Sequence, residues 1–114
     1  MDEGQPDGRF IPVARLDALD ARGRTVVHVG TVRVLLVRVD GRLHALEDTC
    51  PHRGGSLSEG DLDGHLLHCP LHAWPFDVRT GHCPWRAEAR IRIYDVSVRG
   101  EEILIAASDS VAAR

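Results

Sequence analysis

Aliphatic residues in this chain fall into short runs that are separated by turn residues. The longest run covers residues 31–39 and predicts the most deeply buried strand. An Asp-Gly pair at 40–41 favours a type I′ hairpin, so residues 42–47 should return as the next strand, with Leu43 and Ala45 on one face. Runs of this length, without helical periodicity, predict an all-β domain.

Further strands are predicted on both sides of the central stretch, at residues 10–14, 24–29, 90–98 and 102–106. Pro12 has no backbone donor, so the first of these strands should lie at the edge of its sheet. The third strand begins with Ile91 and Ile93 on one face and changes phase at Tyr94, which indicates a β-bulge. One helical turn is expected at residues 16–19.

Two similar motifs lie in the central stretch. Cys50 and His52 are separated by one residue, and Cys69 and His72 are separated by two residues. A proline follows each cysteine and restricts the backbone of its loop. Each motif therefore supplies one thiolate and one imidazole from a short, stiff loop.

These motifs interrupt the series of strands, and this predicts how the domain is organised. Residues 10–47 and 86–106 should form the base strands, and residues 48–85 an inserted part with two loops. A hairpin is predicted between the loops at 61–68, while residues 82–86 are predicted to be irregular.

Two thiolates and two imidazoles suit more than one kind of metal centre. Zinc accepts this set in a tetrahedral structural site. A 2Fe–2S cluster of the Rieske type also accepts it, with two cysteines on one iron and two histidines on the other. The ligand types alone leave both possibilities open.

The residues around the ligands are more specific than the ligands themselves. The runs Cys-Pro-His-Arg-Gly-Gly and Cys-Pro-Leu-His resemble the Rieske motif, in the low-potential form found in oxygenase ferredoxins and nitrite-reductase small subunits. The resemblance implies one 2Fe–2S cluster, with Cys50 and Cys69 on the buried iron and His52 and His72 on the outer iron. It also implies a small antiparallel β-sandwich or barrel base that carries an inserted cluster-binding subdomain of two loops.

Departures from the high-potential form of the motif indicate how the cluster is tuned. Gly55 and Leu71 stand where the high-potential members have two cysteines that pair as a disulfide. Trp74 and Phe76 stand where those members place hydroxyl donors. Ala73 replaces a glycine that is usual in the family, and a left-handed backbone there would cost an alanine about 1 kcal/mol.

Length and composition limit the number of domains, the kinds of partner and the compartment that we expect. A chain of 114 residues is expected to form one domain, and a bound cluster would help to stabilise so small a core. The formal charge of −3 gives no reason to expect a nucleic acid or an anionic membrane as a partner. No signal peptide or long apolar segment is recognisable, and three cysteines do not suggest a disulfide framework. The expected compartment is the cytoplasm.

The resemblance implies an electron carrier with no substrate chemistry of its own. Its partners would be a flavin reductase and a terminal oxygenase. No G-x-G-x-x-G nucleotide motif is present, and we expect no room for a second, oxygen-activating iron site. The alternatives are the small subunit of a nitrite-reductase-type complex, bound to a large catalytic subunit, and a structural zinc module.

Three residues near the motifs have open roles. Cys83 is interpreted as a partly buried thiol, or as a residue that lines the cluster pocket. Trp74 and Trp85 are expected either to pack over the loops or to form a docking surface for a protein partner.

The missing hydroxyl donors lead to a prediction about the reduction potential. Without donors at Trp74 and Phe76 the electron-rich reduced cluster is less stabilised, so the potential should lie near the low end of the Rieske range, about −150 mV rather than about +300 mV. A redox titration of the purified protein measures it. Phe76→Tyr should raise the midpoint, and a strongly positive midpoint in the unaltered chain would contradict the prediction.

Overall fold

The computed structural model describes residues 10–50, 55–70 and 73–106, and in these ranges it contains eleven strands and two short 3-10 turns. The turns are Leu16–Ala18 and Leu57–Glu59. In chain order the strands are β1 (Phe10–Arg15), β2 (Arg24–Val29), β3 (Val32–Val39), β4 (Arg42–Glu47), β5 (Leu62–Asp63), β6 (Leu66–His68), β7 (Pro75–Asp77), β8 (His82–Cys83), β9 (Arg86–Arg90), β10 (Ile93–Arg99) and β11 (Glu102–Ala106).

Strand β3 is buried on both faces, as its long aliphatic run predicted. Leu35 and Val37 belong to one core, whereas Val34 and Leu36 belong to another. Successive side chains of a strand point to opposite faces, so a strand with a core on each side needs apolar residues at consecutive positions. Strand β3 is therefore a wall shared by the two cores.

The base of the fold is a six-stranded antiparallel sheet in the order β1-β11-β10-β4-β3-β2. Strands β1 and β2 lie at its two edges and contact each other, which curls the sheet toward a barrel. Pro12 lies on β1, and the register shifts between Pro12 and Ala14. The edge position predicted from this proline is confirmed.

The hairpin between β3 and β4 also forms as predicted. Asp40 and Gly41 have φ angles of 53° and 80°. Positive φ at both central residues is what a type I′ turn requires. Leu43 and Ala45 pack against the same core, as their spacing predicted.

Two smaller sheets are inserted between β4 and β10. One has the order β5-β6-β7 and the other pairs β8 with β9. The core that contains Leu35 and Val37 of the base sheet also contains Leu67 and Phe76 of the small sheet. The inserted part thus packs directly against strand β3. The all-β prediction, with an antiparallel base and an insertion, is confirmed.

The prediction for residues 82–98 was wrong in two details. Residues 82–86 are not irregular, because β8 and β9 form a hairpin with Pro84 and Trp85 in its turn. The predicted single strand is interrupted at Ile91 and Arg92, and only its second part joins the base sheet. The phase change therefore marks a passage from one sheet to another.

Backbone hydrogen bonds at this passage explain the interruption. The Ile91 N–H donates to the Gly81 carbonyl at 2.9 Å, and the Glu47 N–H donates to the Arg92 carbonyl at 2.9 Å. A Cβ at Gly81 would lie 2.2 Å from the Ile91 carbonyl oxygen, so only glycine permits this approach. From the sequence we expect a loose arm at residues 1–9 and a frayed tail at 108–114, and both segments lie outside the described residues. No helix in the described ranges is long and apolar enough to cross a membrane.

A pair of histidines lies where the base meets the inserted part. His44 is on β4 and His65 is in the turn between β5 and β6, and their rings meet edge to face with centroids 6.2 Å apart. The Nε2 atom of His44 is buried and has no hydrogen-bond partner in the described residues. Burial lowers the pKa of His44 below its ordinary value of 6.5, and the charge of His65 lowers it further. The junction therefore favours neutral His44.

This lowered pKa predicts how stability depends on pH. Well above pH 6.5, His44 is neutral in both the folded and the unfolded chain, so it adds no pH dependence there. As the pH falls from there toward the lowered folded value, the unfolded chain takes up the proton first and the fold loses stability. His44→Leu should flatten this part of the apparent melting temperature curve. The exposed His28 is the control: if His28→Leu flattens it equally, the assignment to His44 is wrong.

Candidate metal centre

The two cysteines of the motifs lie together in the core between the base and the insertion. Cys50 and Cys69 are each 1% exposed and belong to the same hydrophobic cluster. Their neighbours in that cluster include the fully buried Leu57, Leu67 and Phe76. The structure therefore brings the two predicted thiol ligands, which are nineteen positions apart in the sequence, into one apolar region.

Each cysteine begins a loop that is closed by the same type of backbone hydrogen bond. The Cys50 N–H donates to the Gly55 carbonyl at 2.8 Å, and the Cys69 N–H donates to the Trp74 carbonyl at 2.9 Å. In both loops the bond joins a residue to the fifth residue after it. The predicted ligands His52 and His72 fall within these two loops in sequence and lie outside the described residues.

The second loop contains a strained residue. Ala73 has a φ of 63°, and its N–H donates to the Cys69 carbonyl at 2.7 Å. A left-handed backbone brings the Cβ of an alanine close to the following carbonyl oxygen, which glycine avoids. Ala73 thus has the left-handed backbone conformation that its place in the motif suggested.

Asp48 holds the chain that leads into and out of the first loop. Its side chain is fully buried, and it accepts hydrogen bonds from the Ser58 N–H at 2.7 Å and the Arg33 Nη2 at 2.8 Å. Its own carbonyl accepts a bond from the Leu57 N–H at 2.6 Å. A buried carboxylate with this many donors fixes both ends of the loop to the base sheet.

Arg24 supports the same loop from β2. It is buried, and its Nη1 donates to the carbonyls of Ser58 at 2.9 Å and Gly60 at 2.7 Å. Burial lowers the pKa of this guanidinium from its ordinary value. Sequence reasoning missed both Arg24 and Asp48, because a charged residue at the end of a strand usually lies in solvent.

Gly60 allows the two halves of the site to come close. A Cβ at this position would lie 1.8 Å from the His68 carbonyl oxygen, on the strand that leads to Cys69. In the sequence, Gly60 lies between Glu59 and Asp61, which favours a solvated turn, yet the residue is buried. Its φ is −85°, so close packing rather than backbone conformation requires the glycine.

The three residues whose roles the sequence left open have different surroundings in the structure. Cys83 is buried in the same cluster as Cys50 and Cys69, and Trp74 packs partly against that cluster. Trp85 is 61% exposed in the turn between β8 and β9. The guanidinium of Arg86 lies 5.2 Å from the centre of the Trp74 ring. Cys83 is therefore a buried thiol beside the two predicted thiol ligands, while Trp85 lies on the surface.

The residues present fit a 2Fe–2S cluster of the Rieske type. A thiolate is a soft ligand that favours iron–sulfur centres, and an apolar core shields the sulfur atoms from water. No group of three or more candidate metal ligands is assembled within ranges 10–50, 55–70 and 73–106.

Comparison with protein families decides the identity of this site. The model for the Rieske [2Fe-2S] domain matches residues 9–95. This chain belongs to the Rieske [2Fe-2S] domain family. The cofactor of this Rieske domain is therefore a 2Fe–2S cluster, and the zinc alternative is set aside.

Similar proteins include ferredoxins of oxygenase systems, which this chain matches over most or all of their length. The chain is 37% identical to the ferredoxin component of an alkene monooxygenase system from Xanthobacter autotrophicus, over 89% of this chain and 84% of that protein. It is 34% identical to the ferredoxin of carbazole 1,9a-dioxygenase from Nocardioides aromaticivorans, with a TM-score of 0.78, 89% of this chain covered and 100% of that chain.

Two further solved structures bear on the rival functions. A structure titled as a complex of reduced oxygenase and oxidized ferredoxin in carbazole 1,9a-dioxygenase includes a chain that is 30% identical, with a TM-score of 0.75, 88% of this chain covered and 94% of that chain. A structure titled as a nitrite reductase NADPH (small subunit) oxidoreductase protein is 22% identical with a TM-score of 0.76, covering 86% of this chain and 98% of that chain. At that identity the second likeness shows the fold alone.

The strain at Ala73 leads to a prediction about stability. Ala73→Gly should raise the apparent melting temperature by a few degrees, since glycine relieves up to about 1 kcal/mol at a left-handed position. The matched control is Ala87→Gly, an exposed strand position where glycine should instead cost about 0.5–1 kcal/mol. Equal effects of the two variants would show that φ at position 73 stores no strain.

Proposed function

We propose that this chain is a one-electron carrier, a Rieske ferredoxin that takes an electron from a flavin reductase and passes it to a terminal oxygenase. The main support is that the chain matches ferredoxin components of oxygenase systems over most of their length, including 84% of the alkene monooxygenase ferredoxin. Biphenyl dioxygenase and naphthalene dioxygenase ferredoxins are among the other relatives. A match of this extent leaves those relatives few residues for a further domain.

The proposed ligands are Cys50 and Cys69 for the inner iron and His52 and His72 for the outer iron. The burial of both cysteines and the matching closure of their loops support this assignment. When bound, the cluster supplies a centre that holds and releases one electron. The chain itself shields the sulfur ligands from water, since Leu57, Leu67 and Phe76 belong to the same buried cluster as both cysteines.

The framework around the loops holds the ligands in fixed positions. Asp48 and Arg24 bind the chain that follows the first loop, and Gly60 lets it cross the strand that enters the second. A centre that changes its charge by one electron benefits from ligands that do not rearrange, because fixed dipoles need no reorganisation. A rigid site is therefore suited to rapid transfer.

The domain organisation and the location are part of the proposal. A single Rieske domain would consist of base strands at 10–47 and 86–106 with a cluster-binding subdomain at 48–85, although β9 pairs with β8 of the insertion rather than with the base sheet. Cytoplasm is the proposed location, since three cysteines, two of them in the ligand motifs, do not suggest a disulfide framework. The nitrite-reductase role has only a shared fold in its favour.

Electron transfer can be tested with the purified chain under anaerobic conditions. The protein should contain acid-labile sulfide, lose visible absorbance when an NAD(P)H-dependent flavin reductase is added, and support product formation by a terminal oxygenase. Cys69→Ser should lose the cluster and all three properties. Cys83→Ser is the matched control and should retain them, because Cys83 lies in the same core but outside the motifs.

Two results would contradict the proposal. A colourless protein with bound zinc and no acid-labile sulfide would exclude redox work. A protein that accepts electrons only within a stable complex with a large sirohaem-containing subunit would favour the nitrite-reductase role.

A further inference from the structure

The turn between β8 and β9 exposes an unusually large apolar side chain. In the described residues, three large hydrophobic side chains are exposed: Ile11 at 39%, Val98 at 46% and Trp85 at 61%. Ile11 and Val98 lie on strands of the base sheet. Of these three, only Trp85 lies in the inserted part. Its indole also exposes the largest apolar area to water.

Trp85 is linked to the second metal-binding loop by Arg86, the residue that follows it in the chain. Arg86 lies over the ring of Trp74, and the Trp74 carbonyl accepts the hydrogen bond from the Cys69 N–H that closes the loop. On the other side of the turn, Cys83 is buried in the core that contains Cys69. The exposed tip of the hairpin is thus attached at both ends to the surroundings of a proposed cluster ligand.

The charge near Trp85 indicates the chemistry of a partner. The hairpin carries the exposed arginines Arg86 and Arg90 against one glutamate, Glu88, in a chain with a formal charge of −3. Arg86 and Glu88 form only a loose exposed pair at 3.6 Å, and Arg90 contacts the ring of His82 at 3.2 Å. A fitting partner surface offers an apolar hollow with carboxylates at its rim, because tryptophan and arginine together are typical of interface hot spots.

We propose that Trp85, flanked by Arg86, is the anchor by which this ferredoxin binds the terminal oxygenase during electron transfer. The inference rests on the proposed function and adds the residues that hold the partner. Continuity with the cluster-binding loop favours the oxygenase as occupant, since a short route for the electron needs the acceptor beside that loop. A solved ferredoxin relative is in complex with its oxygenase.

Trp85 acts as a positioning residue, so its removal should weaken association and leave the cluster unchanged. In oxygenase turnover with Trp85→Ala, the KM for the ferredoxin should rise about thirtyfold, the effect of losing an interface hot spot. The rate at saturating ferredoxin, the midpoint potential and the acid-labile sulfide content should match those of the unaltered chain. Trp85→Phe should restore most of the affinity, because a second aromatic ring can fill the same hollow.

The control variant is Val98→Ala, which removes another exposed apolar side chain from a strand of the base sheet. The oxygenases of the alkene monooxygenase and carbazole 1,9a-dioxygenase systems, whose ferredoxins are relatives of this chain, should serve as the two acceptors. If Trp85→Ala raises KM no more than Val98→Ala does, the anchor is elsewhere. A KM that rises only in the reaction with the flavin reductase would also overturn the proposal. Self-association of the unaltered chain that Trp85→Ala abolishes would do the same.

These outcomes are distinct from a failure of the proposed function. An unaltered chain that is reduced but passes no electron to either oxygenase would refute the carrier role itself. An unaltered chain that supports turnover beside an unimpaired Trp85→Ala variant would refute only the docking.

Discussion

The burial of two thiols from separate loops in one apolar core is the constraint on which the rest of the structure depends. Cys50 and Cys69 reach the same hydrophobic cluster although the loop, hairpin and turn between them must all be accommodated. Each requirement of this arrangement is met by a particular residue. Asp48 satisfies buried backbone and arginine donors, and Gly60 lets two backbone segments approach more closely than any side chain would permit.

The base sheet and the metal centre depend on each other through β3 and β4. The inner face of the base sheet contributes Leu35, Val37 and Leu46 to the core that also buries the cysteines. Side chains in close-packed interiors cannot shift freely, so the position of the loops is set by the sheet beneath them. The family resemblance and the geometry therefore support one conclusion, a small domain built to hold a redox centre still.

Much of this organisation could be predicted from the sequence, because its signals are local. The bounds of β2, β4 and β11, the hairpin at Asp40 and Gly41, and the edge position of Pro12 all follow from short-range rules. The ligand set follows from the motifs and stays a prediction for His52 and His72. The break at Ile91 and the roles of Arg24 and Gly60 were not predictable, because each depends on a contact with a distant segment.

The presence of two cores has a consequence for how the protein matures. The core made of Val34, Leu36, Ala45, Ile103 and Ile105 contains no cysteine and lies entirely within the base sheet. Burial of these apolar side chains stabilises the base sheet before any iron binds. We therefore expect cluster binding to order mainly the core that contains Cys50 and Cys69, while the base sheet keeps its own apolar burial.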